Sequence, residues 1–169
     1  MTSEIQKKNT HTISFLVANK PGVLVRVALV FARRGYNIDA LVVSPTYDER
    51  FSRMTITAQG DPGILDQIIK QTTKLIDVIH AAEHTEMDAI HRELALFKVK
   101  NTSANKPVIQ KWAKKFDAAI INEDEKTIIV KQTGTTEELY ELESSLKKFG
   151  VIEMVRSGKL VMAKGAEET

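Results

Sequence analysis

The chain contains no cysteine, no long uninterrupted apolar run and almost no net charge. Without cysteine there is no disulfide framework, no thiolate nucleophile and no cysteine-ligated metal, and a reducing compartment fits. The first nine residues are polar and include Glu4, Lys7 and Lys8. They read as a flexible N-terminus, neither a signal peptide nor a membrane span, and a cytoplasmic protein without a membrane partner is expected. The balance of 24 basic against 22 acidic residues leaves a net charge of +2. That is far from the basic bias of a nucleic-acid-binding domain, so no nucleic-acid partner is expected. What is present is enough apolar material, 43% of 169 residues, to bury a core as one domain or two small ones.

The apolar pattern switches between periods of two and about three and a half residues, in an order that occurs twice. Ile13, Phe15 and Val17 alternate as in a strand, and Leu24, Val27, Ala28 and Phe31 follow helical spacing from Pro21 to Arg34. Gly35 ends that helix. Residues 37–44 and 51–59 read as a hairpin, with Met54, Ile56 and Ala58 on one face. Ile64, Leu65, Ile68, Thr72, Leu75 and Ile76 carry a second helix, and residues 77–85 return to strand. The second half repeats this: strand 92–100, a helix with Ile109, Trp112, Ala113 and Phe116, a hairpin over 123–126, a helix with Leu139, Leu142, Leu146 and Phe149, and a strand over 151–163. The fold class expected is α+β, two tandem ferredoxin-like βαββαβ domains over residues 10–86 and 90–165, each an antiparallel sheet with both helices on one face. The second strand, with Ile38, Leu41, Val42 and Val43 and the single charge of Asp39, falls at a sheet edge, and an unguarded edge predicts pairing with another chain, the alternative being a cover by the second domain of the same chain.

The join between the first strand and first helix, Asn19-Lys20-Pro21-Gly22-Val23-Leu24, is the segment most suggestive of chemistry. Pro21 suits a first helical turn and Gly22 lets a group approach backbone amides closely. Amides at a helix start, with the positive end of the dipole, favour a carboxylate. Asn19 supplies a further donor and acceptor; its structural alternative is a simple helix cap.

Asn19 to Leu24, then Phe31-Ala-Arg-Arg-Gly35-Tyr36-Asn37-Ile38, Ser52-Arg53-Met54-Thr55-Ile56, Gln71 to Val78, Arg92-Glu93-Leu94-Ala-Leu96 and Arg156-Ser157-Gly158 together resemble the ACT-domain regulatory (small) subunits of acetolactate synthase, also called acetohydroxyacid synthase. The resemblance covers nearly the whole chain. It implies an N-terminal ACT domain in a non-catalytic subunit that activates the catalytic (large) subunit and confers feedback inhibition by L-valine in branched-chain amino-acid biosynthesis. Such a subunit needs no cofactor of its own; thiamine diphosphate, Mg2+ and FAD are expected on the catalytic subunit. It also implies a homodimer through the ACT domains. The effector would lie between Asn19, Lys20, Pro21, Gly22, Val23 and Leu24 of one chain and Asn37 and Ile38 of the other. Lys20 and Pro21 stand where many members carry an acidic or small residue, which bears on the choice among valine, leucine and isoleucine.

Rival readings are weaker on the residues. His80 and His84 on an extended strand are about 13 Å apart, too far to share a metal. Trp112 and Phe116 fit core packing, Lys111, Lys114 and Lys115 a solvated face, and Arg33 and Arg34 a helix C-terminus. Ser157 lacks a nucleophile-elbow context. An RNA-binding ferredoxin-like domain would need aromatics where the third strand has Arg53-Met54-Thr55-Ile56. An acylphosphatase-type hydrolase would need an Arg in the loop that holds Lys20. An ACT-domain amino-acid sensor for a different enzyme keeps the fold and changes the partner.

Overall fold

Alternation at Ile13, Phe15 and Val17 puts all three, fully buried, on one face of β1 (Thr10–Ala18). The chain continues through α1 (Val23–Ala32), β2 (Ile38–Pro45), β3 (Phe51–Gln59), α2 (Pro62–Thr72) and β4 (Val78–His84). This computed structural model describes residues 10–169; the N-terminus expected to be flexible lies outside the described residues. The order repeats as β5 (Ala89–Lys100), α3 (Asn105–Lys115), β6 (Ala119–Glu123), β7 (Thr127–Gly134), α4 (Thr136–Lys147) and β8 (Val151–Arg156), and β9 (Leu160–Ala163) follows. The described chain clusters into two compact units, one running up to His91 and including Lys159–Thr169, the other Arg92–Gly158.

In the first unit the antiparallel sheet has strand order β2-β3-β1-β4, which leaves β2 at an edge, as the ferredoxin-like topology requires. Val23, Val27 and Phe31 of α1 and Leu65 and Ile68 of α2 cover one face, over Ile13, Phe15, Met54 and Ile56. Phe31 meets Phe15 edge-on, with centroids 6.5 Å apart, the arrangement that ring quadrupoles favour. In the second unit the order is β6-β7-β5-β8; β9, which clusters with the first unit, pairs β5, the strand that begins at Ala89. Phe97, Val99, Ile128 and Val130 lie beneath Ile109 of α3 and Leu139, Leu142 and Leu146 of α4.

Local chemistry sets several boundaries. Asp61 caps α2 by accepting from the amides of Gly63 and Ile64. Thr135 and Glu138 cap α4 reciprocally, a capping box. After α1, Gly35 takes a left-handed φ of 71° while its amide bonds to Ala32 O and that of Tyr36 to Phe31 O, the paired bonds that close a helix C-terminus. The Asp124 carboxylate accepts from the amides of Lys126 and Thr127 and the Thr127 hydroxyl, closing the hairpin between β6 and β7.

Three expectations need correction. The first helix begins at Val23, so its buried stripe is Val23, Val27 and Phe31, and Leu24 is 41% exposed. The second helix ends at Thr72, so Ile76 belongs to the following turn and is 98% exposed. The last strand is two, parted at Ser157-Gly158-Lys159; Ser157 bonds to Leu94 through its amide and hydroxyl, and Gly158 has φ 81°.

Two buried polar groups stand out, and in them the Thr57 hydroxyl has no hydrogen-bond partner among the described residues. In the second unit Glu93, 5% exposed, accepts from Arg156 Nη2 at 2.6 Å and from the Thr136 hydroxyl. In the first unit Thr12, Ser14, Thr55, Thr57 and His84 are buried, and the Ser14 hydroxyl lies 2.6 Å from His84 Nε2. Burial pushes the His84 imidazole below its ordinary pKa of 6.5; Asp88 opposes the shift, and His91, Arg53 and His80 add to it.

Removing one side of a buried ion pair strands the other, so Glu93→Ala is expected to lower stability by about 3 kcal/mol, read by chemical denaturation. The folded chain resists a proton that an unfolded His84 accepts near its ordinary value, so this residue makes stability fall as pH drops through that value and below. Denaturation midpoints measured from about pH 7.5 to about pH 5.5 should decrease, and His84→Gln should flatten that decrease.

Candidate functional site

The segment after β1 is held by main-chain bonds to two neighbours. The Ala18 amide donates to Asp77 O at 2.8 Å and the Asn19 amide to Arg50 O at 2.8 Å. Asn19 Nδ2 donates to Glu49 O at 2.9 Å, so Asn19 ties the loop to the turn between β2 and β3. It does not cap α1. The residue preceding α1 is Gly22, which has φ 83° and no capping side chain. A left-handed residue at this point explains why the helix starts at Val23, two positions after Pro21, where spacing alone placed Pro21 in the first turn.

The Val23 amide turns back to Lys20 O at 3.4 Å, and the first bond of the helix runs from the Arg26 amide to Gly22 O at 3.1 Å. The amides of Leu24 and Val25 therefore precede the hydrogen-bonded ladder, at the positive end of the helix dipole. Val23 itself is buried, while Lys20, Pro21, Gly22 and Leu24 are exposed. No acidic residue lies in the first turn of α1. Sequence reasoning missed Arg26, whose Nη2 lies 2.5 Å from Asp77 Oδ2. The signal available was a cation four residues after Gly22, where a helix start favours an anion.

Asn37 and Ile38 lie elsewhere in the same unit. Ile38 pairs with Ala58, whereas Ala18, next to Asn19, pairs with Phe51. Those two positions are seven residues apart on β3, which is about 24 Å of strand. One chain therefore does not bring the two sets of candidate residues together. Asn37 is exposed, its Nδ2 3.3 Å from Asp39 Oδ1, and Ile38 packs against the core.

The second unit repeats part of this construction. The Asn101 amide donates to Lys126 O, Asn101 Nδ2 donates to Asp124 O, and the Lys100 amide donates to Gly150 O. An asparagine after the first strand thus ties loop to hairpin in both units. What the first unit has alone is the left-handed glycine: α3 is preceded by Ala104 in a right-handed conformation.

Comparison with known proteins gives one family match in each half of the chain, the second running on past Gly158 into residues that cluster with the first unit. The AHAS small subunit-like ACT domain matches residues 13–80, and the small subunit of acetolactate synthase, C-terminal to it, matches residues 92–165. A probable acetolactate synthase small subunit of Archaeoglobus fulgidus is 39% identical over 155 residues, covering 92% of this chain and 97% of that protein. The chain belongs to the acetolactate synthase small-subunit family. The small subunit of Mycolicibacterium smegmatis is also 39% identical, over 92% of each chain. The crystal structure of the acetolactate synthase small subunit from Thermotoga maritima superposes with a TM-score of 0.84 at 32% identity, covering 94% of this chain and 99% of that one. The first unit therefore carries the ACT domain of this family, and the glycine turn lies inside it.

Other residues flagged in the sequence have structural surroundings. His84 bonds to Ser14, and among the described residues no group of three or more His, Asp or Glu side chains is arranged to hold a metal. Trp112 stacks on Phe116 at 5.6 Å, half-buried, with Lys115 and Lys148 over its ring. Lys115 thus covers aromatic surface, where a purely solvated face was expected. Arg34 donates to Gln67 and Gln71 of α2. No described helix is long and apolar enough to cross a membrane.

Any side chain at position 22 would carry the left-handed backbone penalty and set its Cβ 3.3 Å from Arg26 Nη1. Gly22→Ala is therefore expected to cost about 1–2 kcal/mol. In urea this should appear as a lower midpoint at unchanged slope.

Proposed function

We propose that this chain is the non-catalytic regulatory subunit of an acetolactate synthase. It activates a thiamine-diphosphate-dependent catalytic subunit, on which Mg2+ and FAD also reside, and mediates feedback inhibition by L-valine in the cytoplasm. The ACT domain, over residues 10–86, binds the effector and dimerises; the second ferredoxin-like domain spans residues 90–165.

The observation that carries this reading is the strand register of the first unit. The Pro45 end of β2 pairs with Ser52, beside the end of β1 from which the Asn19 loop departs, and the Ile38 end lies at the far side of the sheet. If the exposed β2 edges of two copies pair antiparallel, Ile38 of one copy comes to the Pro45 end of the other. A two-fold axis thus moves Asn37 and Ile38 of a second copy toward the loop that holds Asn19 to Leu24. Residues that one chain keeps about 24 Å apart then line one site. The amides of Leu24 and Val25 suit the carboxylate of an amino acid, and the Asn19 Oδ1, left over when Nδ2 bonds to Glu49, suits its ammonium group. Exposed Leu24 and the apolar start of β2 suit a branched side chain.

An effector bridging two chains favours the arrangement that brings them together. If the catalytic subunit binds a different arrangement better, valine withdraws activation, and by linkage the catalytic subunit weakens valine binding to the same degree.

Calorimetric titration with L-valine, L-leucine, L-isoleucine and D-valine, alone and with the catalytic subunit, tests the reading. Asn37→Ala leaves a chain's own loop intact and removes a contact to the other chain's effector. Stereospecific binding of a branched-chain amino acid is expected, weakened about tenfold or more in Asn37→Ala, with a dimer by analytical ultracentrifugation. A clean monomer, or no stereospecific binding in either setting, refutes it.

A further inference from the structure

We infer that Arg26, held by Asp77 against Gly22, makes the effector site select a free carboxylate. The inference rests on the reading of the loop given above and assigns a specificity-determining residue within it.

Side chains on an α-helix lean toward its N-terminus, and that of Arg26 reaches back over the first turn of α1. Its Nη1 lies 3.3 Å from where a Cβ on Gly22 would stand, so the absence of a side chain at position 22 makes room for the guanidinium as well as allowing φ 83°. Nη2 is bonded to Asp77 Oδ2 at 2.5 Å. Asp77 comes from the turn before β4, and its carbonyl accepts the Ala18 amide. The guanidinium is thus fixed from outside the helix, at the end of the strand that leads into the loop.

A cation at this position runs against the helix dipole, which favours anions at the N-terminus. The local charge count sharpens the point. The helix terminus, Arg26 and exposed Lys20 are positive, no acidic residue occupies the first turn of α1, and Asp77 is the carboxylate bonded to the guanidinium. Across the loop, in the hairpin turn that Asn19 bonds to, Asp48 pairs with Arg50 and Glu49 adds a carboxylate; within the first turn of α1 itself Asp77 answers Arg26, and the helix amides are left for a second carboxylate. A guanidinium carries five N–H donors in a planar fork. With Nη2 committed to Asp77, Nη1 still faces the Gly22 turn and can donate to a ligand carboxylate beside the Leu24 and Val25 amides. Asp77 fixes the direction of the fork, and because charge-assisted bonds are about twice as strong as neutral ones, an amide of the same shape is held less well. The second unit, which keeps the asparagine tie, has neither feature: Ala104 precedes α3, and Val108, an apolar residue, stands four positions later.

The experiment compares L-valine with L-valinamide, which keeps the side chain and ammonium and lacks the carboxylate charge, by calorimetry on the full chain alone and with the catalytic subunit. Wild type is expected to prefer valine by about tenfold or more, and Arg26→Gln to reduce the preference to about threefold or less. Asp77→Asn keeps every cation and an Oδ1 that can still accept from Arg26 Nη2 and aim the fork, so it should retain the preference. If thermal unfolding shows that Arg26→Gln alone does not fold, the double variant Arg26→Gln, Asp77→Asn leaves no carboxylate unpaired and should show the same loss. A folded Arg26→Gln or double variant that still prefers valine tenfold overturns the role of Arg26 and leaves the site standing. A wild type that binds neither compound in either setting overturns both.

Discussion

Two adjacent main-chain hydrogen bonds, from Ala18 to Asp77 and from Asn19 to Arg50, fix where the first strand stops and in which direction the chain leaves it. Main-chain groups buried by a sheet must find partners, and at this point β1 finds them on both sides, in the turn before β4 and in the turn between β2 and β3. Everything at the candidate site inherits its position from that clamp. Asn19 adds a side-chain bond to the same hairpin, Gly22 turns the chain in a conformation open to few other residues, and α1 starts where the turn ends. The placement of Arg26 against Asp77 follows, because the clamp delivers Asp77 to the first turn of the helix.

The two units show which parts of this construction serve the fold and which go beyond it. An asparagine after the first strand, bonded to the hairpin by amide and side chain, occurs in both at Asn19 and Asn101. A feature shared by a unit with the glycine turn and a unit without it is explained by the topology alone. The left-handed Gly22 and the cation behind it occur at the helix start of the ACT unit only, where the first turn carries no acidic residue and Arg26 is bonded to Asp77.

Much of this was legible in the residues. Alternation located the strands through Ile13, Phe15 and Val17 and through Met54, Ile56 and Ala58, and the repeated order gave two ferredoxin-like units with β2 at an edge. These signals are local, and burial enforces them. The start of α1 was misread because Pro21 and Asn19 have standard roles at helix starts, while the left-handed turn at Gly22 leaves no trace in spacing. The same slip moved Leu24 from the core stripe to the surface. Ile76 continued an apolar pattern past the helix end, since periodicity does not register that Asp77 is recruited by Ala18. The division of the last strand depends on Ser157 bonding to Leu94, 63 residues away in sequence, and the Arg26–Asp77 pair spans 51 residues. Contacts at such separation are decided by topology, which a single pass along the sequence supplies only in outline.

The return of Lys159–Thr169 to the first unit has a consequence for synthesis. Lys164 donates through its amide to Asp88 O and through Nζ to Glu86 O and Met87 O, so the first compact unit includes chain made after Gly158. In topological terms the second unit is inserted into the first. On a ribosome, Arg92–Gly158 emerges whole and can fold while the unit that began earlier still waits for its closing segment. A shortened carboxyl end therefore takes contacts from the first compact unit, at residues 86–88, although that unit begins furthest from it by residue number.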